Sequence, residues 1–469
     1  MCRVLSIIVA SLVLHACSPR LAAPDIEPPK EYIFGRAFNR DTTSISPQWW
    51  QMFGDTILNS LVDRALEKNY DLAVAASRIE QARHNLKVAR AAFLPSISVG
   101  GEAGLSYDSE SGDYVQNYAL GPTFGWEIPL FGSLRHASTA SRAAIMYEEW
   151  HYRGVRLALA AEVATGYFTL LGYRQDLNIA KRSAMLRGEM VALIDSMGRY
   201  GFASGVNVEQ AQSLLYTAEA DVPRYERAIR QTTLSLGILL GQQPEMLDSL
   251  GVGSRLMSDY RPYDIPIAAP SDILHRRPDI MQAYYTMREA AARVGVARSA
   301  RFPSLSLPRT GGTATNDIAE LFSGGSWVAS VLLTLSQPIY NFGRLKRAEL
   351  AAREAYRQSL LAYEKCYIEA LAEVEESLVA ISTFRQQIAS CKELVRANGD
   401  IAHMNRQLYA SGLSDYLNVI DAERELYASQ MQFENLVAQQ YINYINLCKA
   451  LGGGWQPLDE RQTVKREVH

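Results

Sequence analysis

The chain has 469 residues, with 47 Lys+Arg against 50 Asp+Glu, a formal net charge of −3 and a mean hydropathy of −0.11. That balance lacks the basic bias of a nucleic-acid binder, so no nucleic acid is expected as a partner. The five cysteines (Cys2, Cys17, Cys366, Cys391 and Cys448) form no disulfide framework and no zinc spacing. No segment beyond the N-terminus reaches 18 uncharged apolar residues, so any membrane crossing by the folded body must use strands.

Residues 1–16 have the pattern of a secretory signal: Arg3 gives a positive start and residues 4–14 an uncharged apolar run. The run is too short to span a bilayer. Leu14, Ala16 and Cys17 resemble a bacterial lipoprotein signal, with cleavage before Cys17 and acylation (palmitate) of its thiol, although His15 is unusual there. Residues 17–46 then form a proline-rich tether, with Pro19, Pro24, Pro28 and Pro29, suited to link a lipid anchor to a folded body.

The rest of the chain is written twice. Phe93-Leu94-Pro95-Ser96 is echoed by Phe302-Pro303-Ser304, Pro129-Leu130-Phe131-Gly132 by Pro338-Ile339-Tyr340-Asn341-Phe342-Gly343, and Leu239-Leu240-Gly241 by Ala450-Leu451-Gly452. Tyr200 to Val206 is matched to Tyr409 to Leu413, pairing Gly205 with Gly412, 207 residues apart. These echoes divide the chain into a first repeat (47–250), a connector rich in proline (251–270), a second repeat (271–453) and a C-terminal tail (454–469).

Each repeat reads as helix, hairpin, long helix, turn, helix. Helix-spaced apolar residues predict a helix over 58–93, stopped by Pro95. Period-2 alternation predicts strands over 96–107 and 114–127, with a polar turn between them. Residues 134–202 carry no proline and predict a long helix, about 100 Å at 1.5 Å per residue. A return helix follows over 206–241, in which Pro223 predicts a kink. The second repeat gives helix 271–301, strands 304–311 and 326–337, long helix 344–410 and return helix 413–451. Pro308 is expected at a sheet edge or bulge. The fold class is therefore mainly α with a small β part.

Four strands per chain are of membrane-crossing length, yet single-chain barrels begin at about eight strands and open sheet edges are not tolerated in lipid. Either the sheets are soluble or several chains share one barrel. At this point the sequence resembles a known family. Trp49-Trp50-Gln51-Met52-Phe53-Gly54-Asp55 and the strand borders quoted above look like those of the TolC-like outer-membrane efflux lipoproteins, the OprM and CusC type. The likeness runs from about residue 47 to residue 453. It implies a homotrimer with a shared twelve-stranded barrel in outer-membrane lipid and a periplasmic helical tunnel. It also implies an inner-membrane pump and a periplasmic adaptor protein as partners, with no cofactor, no metal and no catalytic residue.

In such proteins a segment just past the second helical turn closes the tunnel. Tyr409, Asp421 and Arg424 occupy the matching places as periplasmic gate residues. Offset by 207, Asp421 falls on Leu214, so a gate belongs to the second repeat alone. The turns at Gly205-Val206 and Gly412-Leu413 look like the adaptor-docking tips, with glycine supplying backbone freedom and Val206 or Leu413 an exposed apolar contact. His84, His275 and His403 are isolated surface or packing residues, and the acidic run Glu373-Val374-Glu375-Glu376 is expected to be a solvated or salt-bridged helix face. The expected role is a passive exit duct for small molecules such as drugs or dyes, hence multidrug resistance. A duct for protein secretion or heavy-metal export shares the same shape. A periplasmic coiled-coil scaffold lipoprotein is the alternative of another class.

Overall fold

The structure, a computed structural model, describes residues 21–24, 26–35, 46–107, 109, 112, 114–243, 270–322 and 327–453. The signal peptide, Cys17, half of the tether, the connector up to residue 269 and the C-terminal tail lie outside the described residues. Among the described residues, eight α-helices and five strands follow one another: α1 (Thr56–Lys68), α2 (Tyr70–Ala91), β1 (Ser96–Tyr107), β2 (Tyr114–Ile128), α3 (Ser133–Arg199), α4 (Gly205–Leu239), α5 (Ile273–Arg276), α6 (Pro278–Ser299), β3 (Ser304–Thr315), β4 (Trp327–Val331), β5 (Thr334–Ser336), α7 (Arg344–Ala410) and α8 (Tyr416–Ala450).

The repeat is more regular in the structure than in the sequence landmarks. The helices α2 and α6 both have 22 residues and start 208 apart, at 70 and 278. The long helices α3 and α7 both have 67 residues and start 211 apart, at 133 and 344. The return helices α4 and α8 both have 35 residues and also start 211 apart, at 205 and 416. The change from 208 to 211 falls in the hairpins, so three extra residues of the second hairpin shift everything after it.

The chain divides into two compact units. The first holds the sheet, with residues 76–151 and 279–366. Strand order is β1-β2-β3-β4, all antiparallel, with β5 also pairing β3. The register sets Ile97 opposite Phe124, Trp126 opposite Leu307, Ile128 opposite Leu305 and Leu305 opposite Leu335. Because side chains alternate with period two, this places most of the large apolar residues of every strand on one face, and Ile97, Val99, Leu105, Trp327, Val331 and Leu335 are all well exposed there. Pro308 sits in the interior strand β3 rather than at an edge. It pairs with Gly125 on one side, and on the other it faces the break between β4 and β5, where Leu332 N donates to its carbonyl. With no N–H to give, proline interrupts the ladder opposite itself and splits one expected strand into two. At Gly121 an added Cβ would meet the Gly311 carbonyl oxygen at 2.1 Å, so β2 and β3 approach there only because both carry glycine.

The second unit, residues 27–75, 152–278 and 367–453 of those described, is helical and holds the main core. Trp49-Trp50-Gln51-Met52-Phe53 forms a 3-10 turn that buries Trp49, Trp50 and Phe53, and Gly54 (φ 63) ends it. Asp55, 1% exposed, caps α1 by accepting from the N–H groups of Ile57 and Leu58, and also accepts from the Tyr167 hydroxyl at 2.7 Å. Phe53 packs on Phe168, which stacks on Tyr441 at 4.9 Å. The signature at residues 49–55 is thus a core plug. One stretch of α3 is apolar enough by composition to cross a bilayer, yet half of it is buried within the structure.

Two expected helices are broken, for related reasons. The helix over 58–93 splits at Asn69, whose extended backbone ends α1 while its side chain accepts from Leu72 N and donates to the Leu239 carbonyl at 3.0 Å. The helix over 271–301 splits at Arg277, before Pro278, and Arg277 donates to the Ala450 carbonyl at 2.9 Å. Leu239 and Ala450 are 211 apart. Each repeat therefore staples its break to the last turn of its own return helix. Close glycines complete both staples: a Cβ on Gly241 would meet Lys68 O at 2.5 Å, and one on Gly452 would meet Arg276 O at 3.0 Å. Helix α4 runs unbroken through Pro223. The acidic run on α7 is partly spent within the unit. Glu373 pairs with Arg277 at 2.7 Å, and both oxygens of Glu375 accept from backbone N–H groups of Ile33 and Phe34, at 2.6 and 3.0 Å.

Candidate functional site

The helical turns lie in the second unit. After α3, Gly201 takes a left-handed φ of 80, with Gly201 N donating to Gly198 O and Phe202 N to Met197 O. Ser204 then caps α4. After α7, Gly412 takes φ 70, with Gly412 N donating to Tyr409 O and Leu413 N to Leu408 O, and Asp415 caps α8. A left-handed residue just past a helix favours glycine because it has no Cβ to clash. The true partner of Gly412 is therefore Gly201, not Gly205. Gly205 is the first residue of α4, with no left-handed φ, so the backbone freedom expected of it belongs four residues earlier.

This changes the apolar tips too. Leu413 is 76% exposed and its counterpart is Phe202, 78% exposed; Tyr200 and Val206 are also well exposed. Phe202 and Tyr200 were missed from sequence because the glycine pair was offset by four residues. The change of spacing from 208 to 211, visible in Gly241 and Gly452, was the signal for it.

The three expected gate residues are not joined within one chain. Tyr409 is buried, its ring 5.2 Å from that of Tyr416, in a cluster with Ile194, Ala211, Val419 and Ile420. Its hydroxyl makes no hydrogen bond among the described residues. Asp421 and Arg424 are both exposed on α8, and the side chain of neither has a hydrogen bond or ion pair with another described residue. At the 211 spacing their first-repeat counterparts are Gly198, Gln210 and Ser213, in place of the Leu214 reached by the 207 spacing. No acid–base pair stands there either.

A second set of charges ties the helices near this end. Arg406 of α7 pairs with Glu423 of α8 at 2.5 Å. Arg187 of α3, 5% exposed, donates to the Leu214 carbonyl of α4 at 2.8 Å and lies 5.0 Å over the Tyr427 ring of α8. Tyr427 in turn donates to Asp221 at 2.7 Å, and Asp221 pairs with Arg224 at 3.0 Å. Burial lowers the Arg187 pKa, with Glu423 opposing that shift. A cavity of about 210 Å³ opens between Arg187, Met190, Leu214, Tyr416 and Glu423. Further along α3, burial and the nearby Glu434 push the Asp176 carboxyl up from 3.8 to about 7, and burial raises Glu434 as well. Among the described residues no group of three or more His, Cys, Asp and Glu is placed to hold a metal, and Cys366, Cys391 and Cys448 form no disulfide with one another.

A duplicated helical hairpin with an exposed, one-sided apolar sheet defines a class of membrane channel. The family model for the outer membrane efflux protein matches residues 61–242 and 269–453, so the chain belongs to that family. It is 30% identical over 468 residues to the antibiotic efflux pump outer membrane protein ArpC of Pseudomonas putida, covering 96% of this chain and 95% of that one. It is also 30% identical over 410 residues to the probable outer membrane lipoprotein SilC of Salmonella typhimurium, covering 87% and 88%. The solved outer-membrane channel OprN superposes with a TM-score of 0.86 at 25% identity, over 94% of this chain and 99% of that one.

Proposed function

We propose that three copies of this chain form one passive duct through the outer membrane, the exit of a tripartite efflux pump, which catalyses no reaction. Membership of the family makes it an outer-membrane efflux protein. An inner-membrane pump and a periplasmic adaptor deliver the cargo, which we take to be small molecules such as drugs or dyes, in line with the antibiotic named for ArpC. The observation that carries the trimer is the sheet. Its apolar residues share one exposed face, and β1 and the broken strand β4–β5 leave two open edges. Lipid tolerates neither an open edge nor a lone four-strand sheet, whereas three copies supply twelve strands.

The gate reading rests on Asp421 and Arg424, whose side chains are exposed and have no partner among the described residues, and so are free to bridge to neighbouring copies near a symmetry axis. Tyr409 supports them from the core behind. The docking tips are the Gly412-Leu413 turn and, in the first hairpin, Gly201-Phe202 with Gly205-Val206. Cys17 anchors the chain to lipid. Deleting the gene and complementing it tests the reading: sensitivity to dyes and antibiotics is expected, restored by the wild type and not by Gly412→Trp. Full restoration by Gly412→Trp would end the docking proposal, and extraction of the protein by salt without detergent would end the barrel.

A further inference from the structure

Three arginines meet beside the foot of the first hairpin. Arg90 lies in the last turn of α2, and Arg135 and Arg142 lie in the first three turns of α3. With Phe93, Ser138 and Thr139 they line a pocket of about 370 Å³. None of the three guanidinium groups has an ion pair or hydrogen bond to another described residue, whereas Arg83 on the same helix as Arg90 is matched by Glu80 and Glu149. Three like charges around one pocket repel, and an anion between them removes the repulsion. A second, independent feature points the same way. Ser138 is 8% exposed, lines the pocket and makes no hydrogen bond to a described residue, while Thr139 and Ser141 turn theirs back on the helix carbonyls of Arg135 and Ala137. The hydroxyl of this largely buried residue stays open to the pocket without a partner, a donor available to an acceptor there.

The chemistry is that of a phosphate. Arginine forks match phosphate oxygens in pairs, and the first turns of a helix add their positive end. The position selects the source. Trp126, on the apolar face of β2, donates its indole N–H to the Phe93 carbonyl at 3.0 Å, so the Phe93 wall of the pocket begins where the apolar face stops. Tryptophan at such a border marks the membrane–water interface, and basic pockets at that level hold lipid head groups. We propose that Arg90, Arg135, Arg142 and Ser138 form a binding site for the phosphate of an anionic phospholipid in the periplasmic leaflet of the outer membrane. This rests on the reading that the strands cross that membrane.

The test uses the full-length protein in a nonionic detergent, titrated with phosphatidylglycerol and read by native mass spectrometry as lipids retained per chain. Wild type is expected to retain the lipid roughly tenfold or more better than the triple variant Arg90→Gln, Arg135→Gln, Arg142→Gln. Equal retention by the two overturns the proposal. If the triple variant fails to fold by circular dichroism, Arg142→Gln alone decides: it is expected to weaken retention, and unchanged retention overturns the site. Inorganic phosphate at the same concentration is expected to leave the lipid bound; full displacement would make this a free-anion site and overturn the lipid assignment. The same spectra report the oligomer. A mass other than the trimer sinks the duct reading while leaving the lipid count per chain to stand or fall on its own.

Discussion

The two hairpin tips have the same backbone and different surfaces. Both close with a left-handed glycine, Gly201 and Gly412, both expose a bulky apolar residue next to it, Phe202 and Leu413, and both cap the return helix with a polar side chain, Ser204 and Asp415. Only the second carries Tyr409, Asp421 and Arg424, where the first has Gly198, Gln210 and Ser213. Duplication preserved what the turn needs physically and left the helix surfaces to diverge. On the proposed reading, the shared features serve docking and the unshared ones gating.

Variants at equivalent positions of the two tips break or sharpen that comparison. The largest effect is expected from Asp421→Ala, which removes the charge proposed to bridge neighbouring copies. Cells carrying it should become roughly tenfold more sensitive to large antibiotics, a shift of about 1.4 kcal/mol in the closed–open balance, whereas Gln210→Ala should change nothing in the same susceptibility assay. Equal effects would place the gate in both hairpins or in neither.

The staples extend the comparison to stability. Arg277→Ala leaves the Ala450 carbonyl without its charged donor and should cost about 2–3 kcal/mol. Asn69→Ala removes a cap and a neutral bond to Leu239 and should cost about 1–2 kcal/mol. Chemical denaturation of the two variants checks the order. At the turns, Gly201→Val and Gly412→Val should each strain the left-handed position by about 1–2 kcal/mol, while Gly205→Ala, on a helix start with open space around it, should leave the melting temperature unchanged.

The smallest effect concerns Asp176. Its carboxyl is raised from 3.8 to about 7 in the folded chain by burial and by Glu434. The folded state therefore holds a proton that the unfolded chain releases, and the stability this contributes is full below about pH 4 and lost as the pH climbs to about 7. Asp176→Asn should raise the melting temperature at pH 8 by roughly 2–4 °C and change it little at pH 4, as differential scanning calorimetry would read. An equal shift at both pH values would mean that the carboxylate is not held protonated.

Much of the fold was legible because its signals are periodic. The long helices lack proline over their whole length, and strand alternation put Ile97, Val99, Leu105 and Trp327 on the face that the register then joined. The breaks at Asn69 and Arg277 were not legible, since each depends on a carbonyl some 170 residues away, at Leu239 or Ala450. Pro308 was misplaced because strand order, which decides what is an edge, is a property of the whole sheet. The tip of the second hairpin was found at Gly412 and Leu413, but its partner was set at Gly205 because an echo of Ala-Ser-Gly outweighed the drift in spacing. The charged ties of Arg187, Arg406 and Glu423 join four helices and leave no mark in any one of them.

Single-channel recording in planar bilayers tests the central claim most directly. Purified wild-type protein is expected to insert as trimers that are mostly closed with brief small openings, and Asp421→Ala to give long openings of higher conductance. If the wild type forms no channel under conditions where its trimer is intact, or if Asp421→Ala and the wild type conduct alike, then a shared barrel closed by the second hairpin is not what this chain builds.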